Sequence, residues 1–340
     1  MSRLLRAQWV TLLGAVTVAG VVLSFLTPQF GSVFNVFTIL QTAAVDAVIG
    51  LSQMLVLAVG DMSLAVGGIA SLVTVVVGNL YDVQHWPLSG AVLAGLAIGA
   101  LSGLLNGLIT GRSGLSGFIV TLATGTAFTG VAYGITSSVP YSDIPSVLVN
   151  LSQGRASFFP YLLIVTAVTT ALVGVGLYWL PAGRSLLAVG GNREAAVLSG
   201  LSRNSSLLLA HGASGLLAAI AAVMYIGVLQ SATPATGGDW LIVSFAVPII
   251  GGTALTGGEA SSVGTVAAAI VLAAINDALI VLNVNTNAVE MAEGLLIFAA
   301  VLAGRFGQSA GTARSGYRRM LARQSRKQVS LPAAAGPARA

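Results

Sequence analysis

About ten runs of roughly 20 mostly apolar residues recur along this chain of 340, each long enough to cross a hydrocarbon layer as a helix. They lie near residues 9–26, 37–58, 64–80, 88–110, 118–137, 159–180, 207–229, 241–255, 263–282 and 288–304. Only 15 basic and 10 acidic side chains interrupt them, so lipid is the solvent against which the fold is set. The fold class expected is an all-α polytopic membrane protein. The alternating pattern of a membrane barrel is absent. Glycine-rich stretches around Gly60 and Gly251 are expected to be broken or re-entrant rather than plain turns.

The basic residues read the orientation. With both termini in the cytoplasm, 14 of the 15 fall in inside connections or ends, and Arg155 alone is left outside. Residues 9–26 follow Arg3 and Arg6 as a secretory signal would, but no small-x-small cleavage site follows at Thr27-Pro28-Gln29, so they read as an uncleaved first span. The transmembrane domain is expected over 1–306, with a long inside connection at 181–206. The tail, 307–340, is basic, rich in Ala, Gly, Ser and Gln, and expected to be disordered; its arginines suit anionic headgroups better than nucleic acid.

Several chemistries drop out. The absence of cysteine removes disulfides, thiolate metal sites and cysteine nucleophiles. His85 and His211 are too few and too scattered for a zinc or triad arrangement and read as solvated or packed polar residues. Lys327, the one lysine, is not placed in a phosphate-gripping loop, so the chain has no Walker-type ATPase site. No cofactor is expected, and any ATP is bound by a partner subunit.

Polar residues inside the spans are costly and tend to face a cavity or a partner helix. Asp46, Gln53, Asn106, Thr121, Asn276 and Asp277 are therefore the candidate pathway residues. Asn106 and Thr121 serve equally well as interhelical hydrogen-bond glue, and a dimer axis is a rival place for Asn276 and Asp277. In the 181–206 connection Asn192 is placed to cap a short helix, Glu194 to sit in its first turn, and Gly200 to end it in the left-handed conformation. Ala195, Ala196, Val197 and Leu198 give this element a small apolar surface, suited either to headgroups or to docking a soluble partner.

Four motifs in order point further: GLLNGLIT from Gly103, FIVTLATGTAFTG from Phe118, GRSLLAVGGNREAAVLSGL from Gly183, and GGTALTGGEASSVGT from Gly251, followed by Asn276-Asp277. Together they resemble the permease subunits of ribose-type ABC importers, in the branched-chain amino acid/ribose permease superfamily. DMSLAVG from Asp61 matches the family's GIDLSVG stretch, with Ser63 where Asp or Asn is usual and Ala65 where Ser is usual. The resemblance implies a type II importer fold in a bacterial inner membrane. It also implies two permease subunits, identical or sister, two cytoplasmic ATPase subunits and an extracytoplasmic binding protein. Gly191, Asn192, Arg193, Glu194, Ala195 and Ala196 would contact the ATPase. A secondary transporter or channel for a small polar solute is the alternative, and Asp46 is its single weak support; an intramembrane enzyme or scaffold has no motif to recommend it.

Overall fold

The computed structural model describes residues 30–285 continuously, with Gly14, Ala288, Met291, Gly294 and Leu295 besides. These belong to one compact unit, Met1–Ile297; a second unit, Phe298–Ala340, lies outside the described residues. The described part is helical apart from an antiparallel pair of two-residue strands, β1 (Arg155–Ala156) and β2 (Phe159–Pro160).

The central element is α1 (Val33–Ala58), which is apolar on all sides and buried without interruption over residues 43–58. A helix apolar all round has no solvent face to present and belongs in the middle of a bundle. Its first turn is fixed by Ser32, whose hydroxyl accepts from the Asn35 amide at 3.1 Å. Around α1 stand α6 (Leu162–Tyr178), α9 (Arg203–Leu229), α10 (Trp240–Ile250) and α11 (Ser262–Val281). The chain unwinds after α1 and resumes as α2 (Val66–Gly78), which passes into a π-helical turn at Asn79–Val83.

The most extensive helix pair joins α3 (Leu88–Ser113) to α9. Gly95, Gly99, Gly103 and Gly107 recur every four residues and so share one face of α3. A Cβ at Gly99 would stand 2.7 Å from the Gly215 carbonyl oxygen, and one at Gly103 would overlap the His211 carbonyl. Apolar burial gives little net drive between helices in lipid, and close backbone approach through small residues supplies dispersion contact in its place. The outer faces of α3, α4 (Gly117–Thr136) and α6 carry exposed Leu93, Leu101, Ile119, Leu122, Ile164 and Leu172, as lipid-facing surfaces require.

Among the described residues, six helices are long and apolar enough to cross a membrane: α1, α2 with its π turn (Val66–Val83), α3, α4, α9 and α11. A seventh counts if α6 and α7 (Pro181–Gly191), which meet at 69°, form one broken span. This is fewer than the ten expected. The segments at 9–26 and 288–304 lie outside the described residues. The run at 241–255 is an 11-residue helix, α10, followed by irregular chain to Ser261. Pro248 removes a backbone donor inside α10, and Gly252 at φ +92° takes a conformation that ends a helix. The break expected near Gly60 is present as well, with Gly60 at φ +77°.

Candidate functional site: an unwound segment and a capped helical element

The unwound segment at 59–65 is pinned by side chains from three helices. From α1, the buried Gln53 amide donates to the Ser63 carbonyl at 3.0 Å and accepts from the Ser63 amide at 3.2 Å, in the orientation that satisfies both. From α4, Thr121 Oγ1 accepts from the Leu64 amide at 2.8 Å and donates to the Gly117 carbonyl at 2.6 Å. From α9, His211 Nε2 lies 3.0 Å from Asp61 Oδ2. Backbone groups that a helix would have paired are thus met by side chains, which is the condition for irregular chain inside a bundle.

Two of the six candidate pathway residues, Gln53 and Thr121, therefore converge on one segment. Asp46 is buried two turns before Gln53 on α1. Asp277 is elsewhere: its Oδ2 accepts from Asn35 Nδ2 at 2.5 Å, tying α11 to the start of α1, and Asn276 precedes it on the half-buried edge of α11. Asn106 is 1% exposed on α3, and neither polar atom of its amide has a hydrogen-bond partner among the described residues. A buried amide in that state costs about 1–3 kcal/mol per unmet group unless water or a ligand meets it.

Sequence reasoning missed Asp61 and His211 as a site. The signal was present in DMSLAVG, where the acidic residue stands two positions before the place the resemblance assigns it. No group of three or more His, Asp or Glu able to hold a metal occurs among the described residues.

The capped element of the 181–206 connection follows α7. Asn192 Oδ1 accepts from the Ala195 amide at 3.0 Å and caps α8 (Arg193–Leu198), Glu194 sits in the first turn, and Gly200 ends the element at φ +83° with Leu201 N bonded to Ala196 O at 3.0 Å. The Asn192, Glu194 and Gly200 placements expected above are all met. One side chain points otherwise than the docking reading assumed: Ala196 is 5% exposed and packs into the main core, so the outward surface of α8 is Ala195, Val197 and Leu198, the last 90% exposed. Ala196 is the one buried residue of α8, and composition cannot tell which side of so short a helix turns inward.

Behind α8, the end of α7 meets the end of α1 and the irregular segment after α10 at close backbone contacts. Gly258 N donates to Ala58 O at 3.0 Å, and a Cβ on Gly190 would overlap the Ala58 carbonyl and lie 2.7 Å from Gly258 N.

A helical membrane body with an unwound, polar-pinned segment at its core and a capped helix on one face defines a multi-pass transport protein. The chain matches the model of the branched-chain amino acid transport system / permease component family over residues 35–303, and it belongs to that family. It is 28% identical over 289 residues to the ribose import permease protein RbsC of Haemophilus influenzae, covering 84% of this chain and 89% of that one. It is 30% identical to the Bacillus subtilis RbsC over 287 residues (84% and 89%), and 31% identical to the fructose import permease protein FrcC of Rhizobium meliloti over 282 (80% and 78%). No solved structure matches it.

Proposed function

We infer that this chain is the permease subunit of an ATP-binding cassette importer, forming the pathway for a monosaccharide or similar small polar metabolite while a separate subunit hydrolyses ATP. The family match across residues 35–303 carries this reading. The substrate class comes from relatives named for ribose, fructose and D-allose. The chain is a transport subunit and not an enzyme. Its partners are cytoplasmic ATPase subunits, an extracytoplasmic binding protein and a second permease.

Asp46, Gln53, Asn106, Thr121, Asn276 and Asp277 are the pathway candidates. Asn106 has the strongest physical support, because its unmet buried amide is what a permeating hydroxyl or a water file would satisfy. The coupling set is Gly191, Asn192, Arg193, Glu194, Ala195 and Ala196. Ala195 lies on the partner side and Ala196 on the side facing the core. The whole is read as about ten crossings of a bacterial inner membrane in the manner of a type II importer, with both termini inside; the count takes in α10 with the chain after it and the segments at 9–26 and 288–304, which lie outside the described residues.

Deletion of the ATPase subunit tests the reading. Uptake of labelled ribose, fructose or allose by cells carrying the transporter is expected to vanish, and the purified permease alone is expected to hydrolyse no ATP. Uptake that persists on a proton or sodium gradient would make this a secondary transporter. Topology is tested separately. Reporters fused after Arg112 or near Arg193 are expected to read cytoplasmic and those near Asp143 or Thr236 external, and an external reading at Arg193 would overturn the orientation and the coupling assignment together.

A further inference from the structure

The pair formed by Asp61 and His211 is not explained by packing alone. Their side chains are 13% and 1% exposed, and they join the unwound 59–65 segment to α9 across 150 positions of sequence. The Gly117 backbone lies directly against the Asp61 carboxylate, so a Cβ there would overlap both oxygens. His211 is held from behind by α3, where its Cβ is 3.2 Å from the place a Cβ on Gly107 would take. Both groups are therefore confined to one geometry. A carboxylate this enclosed is costly unless it is paired, so breaking the contact requires that water reach the carboxylate.

Gly60, the residue before Asp61, is placed so that a Cβ on it would stand 3.2 Å from the Thr256 carbonyl oxygen and 3.7 Å from Gly190 Cα at the end of α7. Any displacement of α7 thus reaches the segment one residue from the pair. We propose that Asp61 and His211 are a positioning pair for transport: closed, they hold the 59–65 segment against Gln53 and Thr121, and they release it when the cytoplasmic element moves. This rests on the importer reading above.

The absence of cysteine provides a clean test. Ser63→Cys, at a position 2% exposed, puts a single thiol in the segment, and Ser71→Cys, 1% exposed and at a site hydrogen-bonded to the Pro234 carbonyl, is the control on α2. Both are labelled with N-ethylmaleimide in membranes holding the permease with its ATPase. His211→Leu is expected to raise labelling at Ser63→Cys about tenfold, whereas His211→Gln, which keeps a donor in place of Nε2, stays within about twofold of the unaltered chain. Ser71→Cys stays unlabelled throughout. In the same backgrounds, the maximal uptake rate falls with His211→Leu at unchanged KM and recovers with His211→Gln.

The proposal is overturned if His211→Leu leaves labelling unchanged, if Leu and Gln behave alike, or if Ser71→Cys rises in step, which would mean general loosening. Should His211→Leu fail to accumulate, the Asp61→Ala/His211→Leu double variant leaves no buried charge unpaired and is expected to give the same rise; no rise there also overturns it. Failure of the importer reading is seen separately, as uptake by the unaltered chain that does not need the ATPase.

Discussion

Gly190→Val will abolish ATP-dependent uptake while leaving the helices inserted. The added side chain meets backbone on both sides, the Ala58 carbonyl and the Gly258 amide, and backbone held within two packed elements cannot turn away as a flexible side chain would. Either the α7 end lifts from the end of α1 or the hydrogen bond from Gly258 N to Ala58 O opens. Overpacking of this kind costs about 1–3 kcal/mol and more where backbone must shift. The contact lies at the junction of the 181–206 connection with the transmembrane body, so its loss separates the element proposed to couple to the ATPase from α1. Insertion is decided by the apolar spans, which the change does not touch. The check is uptake against the amount of permease in the membrane, with ATPase binding measured by co-purification. A Gly190→Val protein that binds the ATPase and transports at the unaltered rate would show that this backbone contact transmits nothing.

What was legible in the sequence follows from which signals are local. Hydropathy located α1, α3, α4, α9 and α11 because each is a continuous apolar run of at least 20 residues. At 241–255 the apolar average of Leu, Val and Ile ran past the end of the helix at Ile250, whereas the glycines around Gly251 marked the break that the structure has there. Asn192, Glu194 and Gly200 were readable because a cap is made within one turn. Gln53 and Thr121 were flagged only as polar residues in costly places; that both serve the segment at 59–65 depends on how α1 and α4 cross, which no spacing encodes. Asp61 and His211 could not be joined as a pair for the same reason: DMSLAVG drew notice to its own departure from the family stretch, but no spacing links it to His211, buried within α9.

The outward face of α8 carries the largest expected effect on coupling. Leu198 is 90% exposed and Val197 53%, with Ala195 beside them on an element held rigid by the Asn192 cap and the left-handed Gly200. An apolar side chain that exposed on a helix in water is costly to hydrate unless a partner covers it, and a short, doubly capped helix moves as a body and so can pass a displacement to α7 and on to α1. Ala195→Arg and Leu198→Arg are therefore expected to abolish uptake and to release the ATPase on purification. Each buries an unpaired guanidinium in a desolvated contact, at about 3–5 kcal/mol, a loss of at least a hundredfold in affinity. Ala196→Arg gives a different failure. That side chain points into the core of the permease itself, so the variant is expected to lose thermal stability in detergent, which the two outward changes leave intact. Ala195→Arg and Leu198→Arg proteins that retain both the ATPase and uptake would make α8 a helix lying on lipid headgroups, and the site of coupling would have to be sought elsewhere on the cytoplasmic face.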